Sequence, residues 1–139
     1  MKVSRSMAYA VQALLLLATV EGDRPVPCNS LARDGDMPER FLLQILRTLV
    51  NCGILQSVRG VEGGYLLARP ADEISLMEIY HALDIPMVAS ISPLPTMPAD
   101  VRECLTSKLA NISDLVRREL SEISLADLLT TQPKHSQQL

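Results

Sequence analysis

The hydrophobic period of this sequence changes at Gly53, and that change limits the folds open to it. Before Gly53, Leu42, Ile45, Leu46 and Leu49 recur at i, i+3, i+4 and i+7, the stripe of a helix buried along one side. After it, residues 54–58 and 65–68 read as two short strands, joined by the glycine-rich turn Arg59-Gly60-Val61-Glu62-Gly63-Gly64 and closed by Pro70. Gly53 suits the C′ position, where a helix ends in a left-handed residue. A half-buried helix running straight into a tight β-hairpin leaves few architectures.

The rest of the first half fits around that unit. Ser4 or Ser6 can cap a first helix to about Val20 that is apolar nearly all round, hence a core helix; Gly22 and Pro25 end it. A short helix over about Asn29 to Arg33, with Asn29 as its cap, precedes a tight turn at Asp34-Gly35-Asp36. Pro38 in the first turn and Glu39 near the positive end favour the start of the third helix. Ser75 and Glu78 have capping-box spacing for a fourth helix carrying Leu76, Ile79, Tyr80 and Leu83. Helix, helix–turn–helix, then hairpin is the order of a winged helix-turn-helix. The expected fold is mainly α with a small β-hairpin.

Residues 85–98, IPMVASISPLPTMP, hold four prolines and forbid a helix or central strand. This connector can line a small-ligand pocket or lie across a partner. Beyond it a long amphipathic helix is expected over about residues 99–123, striped by Val101, Leu105, Leu109, Ile112, Val116 and Leu120. At roughly 25 residues it would be ~37 Å long, longer than the first lobe is wide, and its stripe points to pairing with a second copy. Ser124 and Asp127 repeat a cap-like spacing for a short closing helix. The expected organisation is a DNA-binding winged head at 1–84, the connector at 85–98, a dimerisation section at 99–130 and a frayed polar tail at 131–139.

Net charge is −3, but residues 1–70 carry +2 and residues 71–139 carry −5. Seven of the eight basic residues in the first part are arginine, the side chain suited to forked contacts with phosphate and guanine. A normal mixed surface explains the asymmetry equally well. Aromatics are 3%, against a protein that stacks unpaired bases. There is no nucleophile–base pair, HExxH or phosphate loop, so an enzyme is not expected. No apolar run reaches the roughly eighteen residues of a membrane span, and the start lacks a convincing cleavage site, so a cytoplasmic protein is expected. Cys28, Cys52 and Cys104 are widely spaced, with no CxxC, and neither His81 nor His135 has metal-ligand spacing to a cysteine. Cys28 and Cys52 read as small buried hydrophobes. Cys104, near the start of the long helix, is either packing or a redox thiol.

The third helix suits the major groove of duplex DNA, with Pro38, Glu39, Arg40 and Phe41 in its first turn and Gln44 and Arg47 further along the open side. Arg40 can fork to guanine, Gln44 can pair with adenine and Glu39 can accept from cytosine. Leu43, apolar near that open side, is either peripheral packing or part of the surface. The hairpin tip offers one arginine, Arg59, among glycines that keep it thin enough for a narrow groove. Ser57, Gly60, Gly63, Gly64 and Tyr65 complete that side of the expected DNA surface. The competing reading is a winged-helix interaction module that does not read DNA.

SVRGVEGGYLLARPADEISLMEIYHAL (residues 57–83) resembles the signature of the Rrf-two family of bacterial winged-helix transcription regulators. Residues 6–11, Pro38-Glu39-Arg40-Phe41-Leu42, residues 46–55 and residues 124–129 are similar to its opening helix, recognition helix, following strand and closing helix. The resemblance implies a homodimer on a dyad-symmetric operator; the expected role is that of a sequence-specific DNA-binding regulator, a repressor. It implies phosphate contacts from Ser4, Arg5 and Tyr9, and Arg59 in the minor groove; packing of Tyr9 between the first helix and the wing is the alternative. Iron–sulfur members carry three cysteines before the long helix. Here that stretch has none, and only Cys104 matches a cluster position, so no iron–sulfur cofactor or other metal is expected. Any small-molecule effector is left unidentified.

Overall fold

A computed structural model describes residues 3–86 and 95–130. Most of the 85–98 connector and the 131–139 tail lie outside the described residues. The elements are α1 (Arg5–Ala18), α2 (Cys28–Asp34), α3 (Glu39–Asn51), β1 (Leu55–Val58), β2 (Gly64–Leu67), a 3-10 turn (Ala71–Glu73), α4 (Leu76–Ala82), α5 (Ala99–Glu122) and α6 (Leu125–Thr130). Among the described residues, no helix is long and apolar enough to cross a membrane.

The core forms where the apolar stripes converge. Met7, Ala10, Ala13, Leu14 and Leu17 of α1 face Leu42, Ile45, Leu46 and Leu49 of α3, with Leu31, Ile54, Leu55, Ile74 and Ile79 filling in. At roughly 1.5–3 kcal/mol for each fully buried large aliphatic side chain, this cluster is the main favourable term in the fold. The stripe on α3 is the one its sequence predicts. Val11, Leu15 and Leu16 of α1 pack at the core edge, but Ala8 is exposed, so that helix is not buried all round.

Several element ends differ from expectation for local reasons. Ser4, not Ser6, caps α1, its hydroxyl accepting from the Met7 amide at 3.2 Å. The helix stops at Ala18 because the Thr19 hydroxyl donates to the Leu16 carbonyl and the chain turns through Gly22 at φ +74°. Asn29 does not cap α2; the helix begins one residue earlier, after Pro27, with no side-chain cap. Pro38 stands at the cap position of α3 rather than inside its first turn.

Three helices end in the same reversal, in which a left-handed residue lets its own amide and the next one reach back to helix carbonyls. After α3, Gly53 (φ +77°) lets Ile54 donate to Leu49 at 3.0 Å. After α2, Asp36 (φ +51°) lets Met37 donate to Ala32 at 2.8 Å. After α4, Asp84 (φ +54°) lets Ile85 donate to Tyr80 at 3.2 Å. Gly35 is not the left-handed residue of its turn. A side chain there would crowd the movable end of Met37, the Leu31 carbonyl and Gln12 of α1, so a small residue suits the position.

The hairpin pairs Leu55 with Leu67 through Val58 with Gly64. A one-residue bridge from a third segment, unforeseen in the sequence, joins it: Val26 donates to and accepts from Tyr65 at 2.9 and 2.8 Å. Gly64 makes this rung possible, since a Cβ there would overlap the Val26 and Pro27 backbone.

The far end of α5 is stitched to the head. Leu76 donates to the Ile123 carbonyl at 2.9 Å, Leu125 donates to Ile74 at 3.0 Å, and Leu120 and Leu125 are buried in the common core. Ser75 and Glu78 form the foreseen capping box, and the Arg69 guanidinium donates to Glu78 Oε1 at 2.7 Å. Ser124 and Asp127 repeat the box at α6.

Partial burial pushes the Glu78 carboxyl up, but the Ser75 amide and the Arg69 guanidinium outweigh it, so its pKa is lowered from 4.5. The stability it contributes is therefore present above that value and lost as pH falls through the depressed one. Glu78→Gln is expected to cost about 1 kcal/mol or less at pH 7, given its exposure, with the gap from wild type closing as the pH is lowered through the depressed pKa in urea titrations. Gly64→Ala should cost about 2 kcal/mol or more by overlap with the Val26 rung. Gly60→Ala meets open space and should cost only backbone strain, about 1 kcal/mol, in the same titrations.

Candidate nucleic-acid interface

The exposed side of α3 follows from its buried one. With Leu42, Ile45, Leu46 and Leu49 turned inward, Glu39, Arg40, Phe41, Gln44 and Arg47 face outward and all are exposed. Thr48 returns its hydroxyl to the Gln44 carbonyl at 3.0 Å, leaving the Gln44 amide group unengaged by it. Pro38, also exposed, precedes this face. Leu43 is half-buried at its margin.

The start of α1 comes to the same place. The Tyr9 ring meets Phe41 edge-on, centroids 5.7 Å apart and planes at 73°. Such a contact is worth ~1 kcal/mol and fixes both rings. Tyr9 therefore packs on the recognition-type helix rather than between α1 and the wing. Ser6, Phe41, Gln44 and Thr48 line one shallow pocket, so the α1 start and the open side of α3 form a continuous surface. Ser4 is tied to its capping role, and Arg5 is exposed beside it.

The second part of the surface is the hairpin. Ser57 and Arg59 are exposed, Tyr65 is half-buried opposite Ser57, and Val61 at the tip is fully exposed. Gly60 takes φ +119°, and a side chain at Gly63 would strike the Val58 carbonyl, so both keep the tip thin. The Gly63 amide donates to the Gly60 carbonyl at 3.1 Å and closes the turn. The surface thus has a helical part and a thin ribbon with one guanidinium beside its tip.

The long-helix stripe divides. Leu120 is 7% exposed and belongs to the chain's own core, against which Val116 also packs, so Leu120 is not available to a partner. Val101 and Ile112 are about half exposed, at 49% and 53%, and Leu105 and Leu109 are intermediate. Leu115, which the sequence reading passed over, is 57% exposed. Its place three residues after Ile112 was the available signal.

The cysteines do not gather. Burial pushes the Cys28 thiol up, with the Glu39 carboxylate adding to it, and its Sγ donates to the Glu39 carbonyl at 3.7 Å. Cys52 is exposed at the α3 C-cap rather than buried. Cys104 is exposed and lies beyond the first turn of α5, where the helix dipole has little reach. Among the described residues, no three His, Cys, Asp or Glu side chains are placed to hold one metal ion.

Residues 3–131 match the family model Rrf2, described as an iron-dependent transcriptional regulator. The chain is 30% identical over 128 residues to the HTH-type transcriptional regulator CymR of Bacillus subtilis, covering 92% of this chain and 89% of that one. It is 32% identical over 133 residues to IscR of Photorhabdus laumondii, covering 95% and 81%. Among solved structures, the global cysteine regulator CymR of B. subtilis superposes with TM-score 0.75 at 28% identity, over 96% of this chain and 99% of that one. IscR of T. potens superposes with TM-score 0.73 at 29% identity, over 100% and 93%. Among the described residues no donor set fits the iron of the family description, because a cluster needs about four ligands and the three cysteines stand on separate stretches of chain. With the helix–turn–helix, the ribbon and these relatives in agreement, the chain belongs to the Rrf2 family and is a winged-helix DNA-binding transcriptional regulator.

Proposed function

We propose that the chain acts as a homodimeric repressor on a dyad-symmetric operator, by occupying DNA rather than by catalysis and without an iron–sulfur cluster. The observation that carries this reading is the clear outer face of α3, with Arg40, Gln44 and Arg47 exposed beside Glu39 and Phe41. In the proposed complex α3 lies in the major groove. Arg40 forks to guanine, Gln44 reads adenine and Glu39 accepts from cytosine. The ribbon enters the minor groove with Arg59 at its tip, where narrowing strengthens the negative potential. Ser4, Arg5 and Tyr9 meet phosphate at the start of α1, where free amides and the helix dipole favour an anion. The dimer forms through Val101, Leu105, Leu109, Ile112 and Leu115.

DNA affinity should fall steeply with salt, since each neutralised phosphate releases counterions. By fluorescence anisotropy on a fragment selected from a random duplex pool, Arg59→Ala should weaken binding roughly tenfold, about 1.4 kcal/mol, while Cys104→Ala leaves metal-free binding unchanged. A wild-type protein that prefers no fragment over competitor DNA, yet captures a stoichiometric protein partner, would favour the interaction-module reading.

In sedimentation velocity the wild type should run as a dimer. Ile112→Asp with Leu115→Asp should run as a folded monomer, its affinity for a two-half-site duplex falling by about tenfold or more while single half-site binding persists.

A further inference from the structure

Arg24 lies outside both parts of the surface described above, yet the fold holds it beside the wing. Pro25 and Pro27 bracket Val26, whose two bonds to Tyr65 add a third segment beside the two-stranded ribbon. Proline fixes φ on both sides of that rung and offers no donor to a further strand, so this segment is an edge with a set course. In antiparallel order the Val26–Tyr65 pair sets the Arg24 backbone across from Leu67, well back from the tip. Arg24 nevertheless lines a groove of about 420 Å³ whose other wall is Val61, Glu62 and Gly63 at the tip. Arg24 also borders a second groove at the base of the ribbon, beside Leu67 and Arg69, so it lies along the ribbon's outer edge between base and tip. It is exposed, and among the described residues it takes part in no ion pair.

A ribbon entering a minor groove runs between two walls of phosphate. Tyr9 and the start of α1 stand on the side of α3, and the Val26 segment forms the opposite edge. We propose that Arg24 is a phosphate contact on this outer edge, binding a backbone phosphodiester of the duplex flanking the wing and carrying no sequence preference. Glu62, on the facing wall of the groove, opposes that contact by repelling the same phosphate. The inference rests on the DNA-binding reading and adds a third site of engagement to it.

The test compares Arg24→Gln with wild type by fluorescence anisotropy across a salt series, on a selected fragment and on a scrambled duplex. Arg118→Gln, an exposed arginine on α5, makes the same charge change on a helix that packs against α4 and not against the wing. Arg24→Gln should weaken binding to both duplexes by a similar factor, roughly fivefold at low salt. The slope of log K against log salt should become shallower by about 0.9 for each engaged head. Glu62→Gln should tighten binding to both, while Arg118→Gln leaves slope and affinity near wild type. Equal behaviour of Arg24→Gln and Arg118→Gln, with Arg59→Ala still weakening binding, would overturn the contact while leaving the DNA-binding reading intact. A loss confined to the selected fragment with no change in slope would also overturn it, since that is base reading. Wild-type protein that binds neither duplex would overturn the DNA-binding reading itself.

Discussion

The relation between α3 and the ribbon, the two parts of the candidate DNA surface, is set by one chain reversal. Gly53 adopts a backbone conformation that a side chain would strain, and Ile54 then bonds back to Leu49 while its own side chain enters the core. The Ile54 carbonyl in turn accepts from Ala68 at 3.0 Å, closing the base of the hairpin. Recognition helix and ribbon thus share a hinge with little freedom. The direction in which Arg59 is presented relative to Arg40 and Gln44 follows from it, because every later residue of the ribbon is registered from Leu55 onward.

The charge of the chain is a local matter. A net −3 would discourage any polyanion if spread evenly, but contacts with DNA are governed by charges within about 10 Å of the phosphates at ordinary salt. Arg5, Arg40, Arg47 and Arg59 are all exposed on the head, whereas the acidic excess falls in the second half. Arg33 is spoken for by Asp34 at 3.3 Å and Arg69 by Glu78 at 2.7 Å. An exposed pair of this kind adds little to stability, but it takes an arginine out of the reckoning for DNA.

Much of this was legible in the sequence because it depends on short-range pattern. The buried stripe of α3, the capping box at Ser75 and the glycine at the end of α3 each follow from residues within a few positions of one another. What escaped was set by contacts distant in sequence or by competition between neighbours. The Val26 rung depends on Gly64, almost forty positions away, and a single paired residue between two prolines does not look like a strand. The Asp34-Gly35-Asp36 sequence marks a tight turn but not which residue is left-handed; Asp36 takes that place, and Gly35 sits close to Met37, Leu31 and Gln12. Leu120 fitted the stripe of α5 as well as Ile112 did. Only the docking of α4 and α6 decides that one is core and the other is not. The interface residues were nameable as types, while the edge-on meeting of Tyr9 with Phe41 needed the packing of two helices to appear.

The stitching of α5 to the head has a mechanical consequence. Because Leu120, Leu125 and the bonds from Leu76 and Leu125 anchor its last turns in the same core as α3, the helix cannot swivel on the head without disturbing that core. In the proposed dimer each such helix, ~36 Å of stiff rod, would behave as the arm of a calliper. A small change in the angle at which two arms cross, whatever causes it, alters the gap between the two reading heads by ångströms. It thereby alters which operator spacing the pair can span.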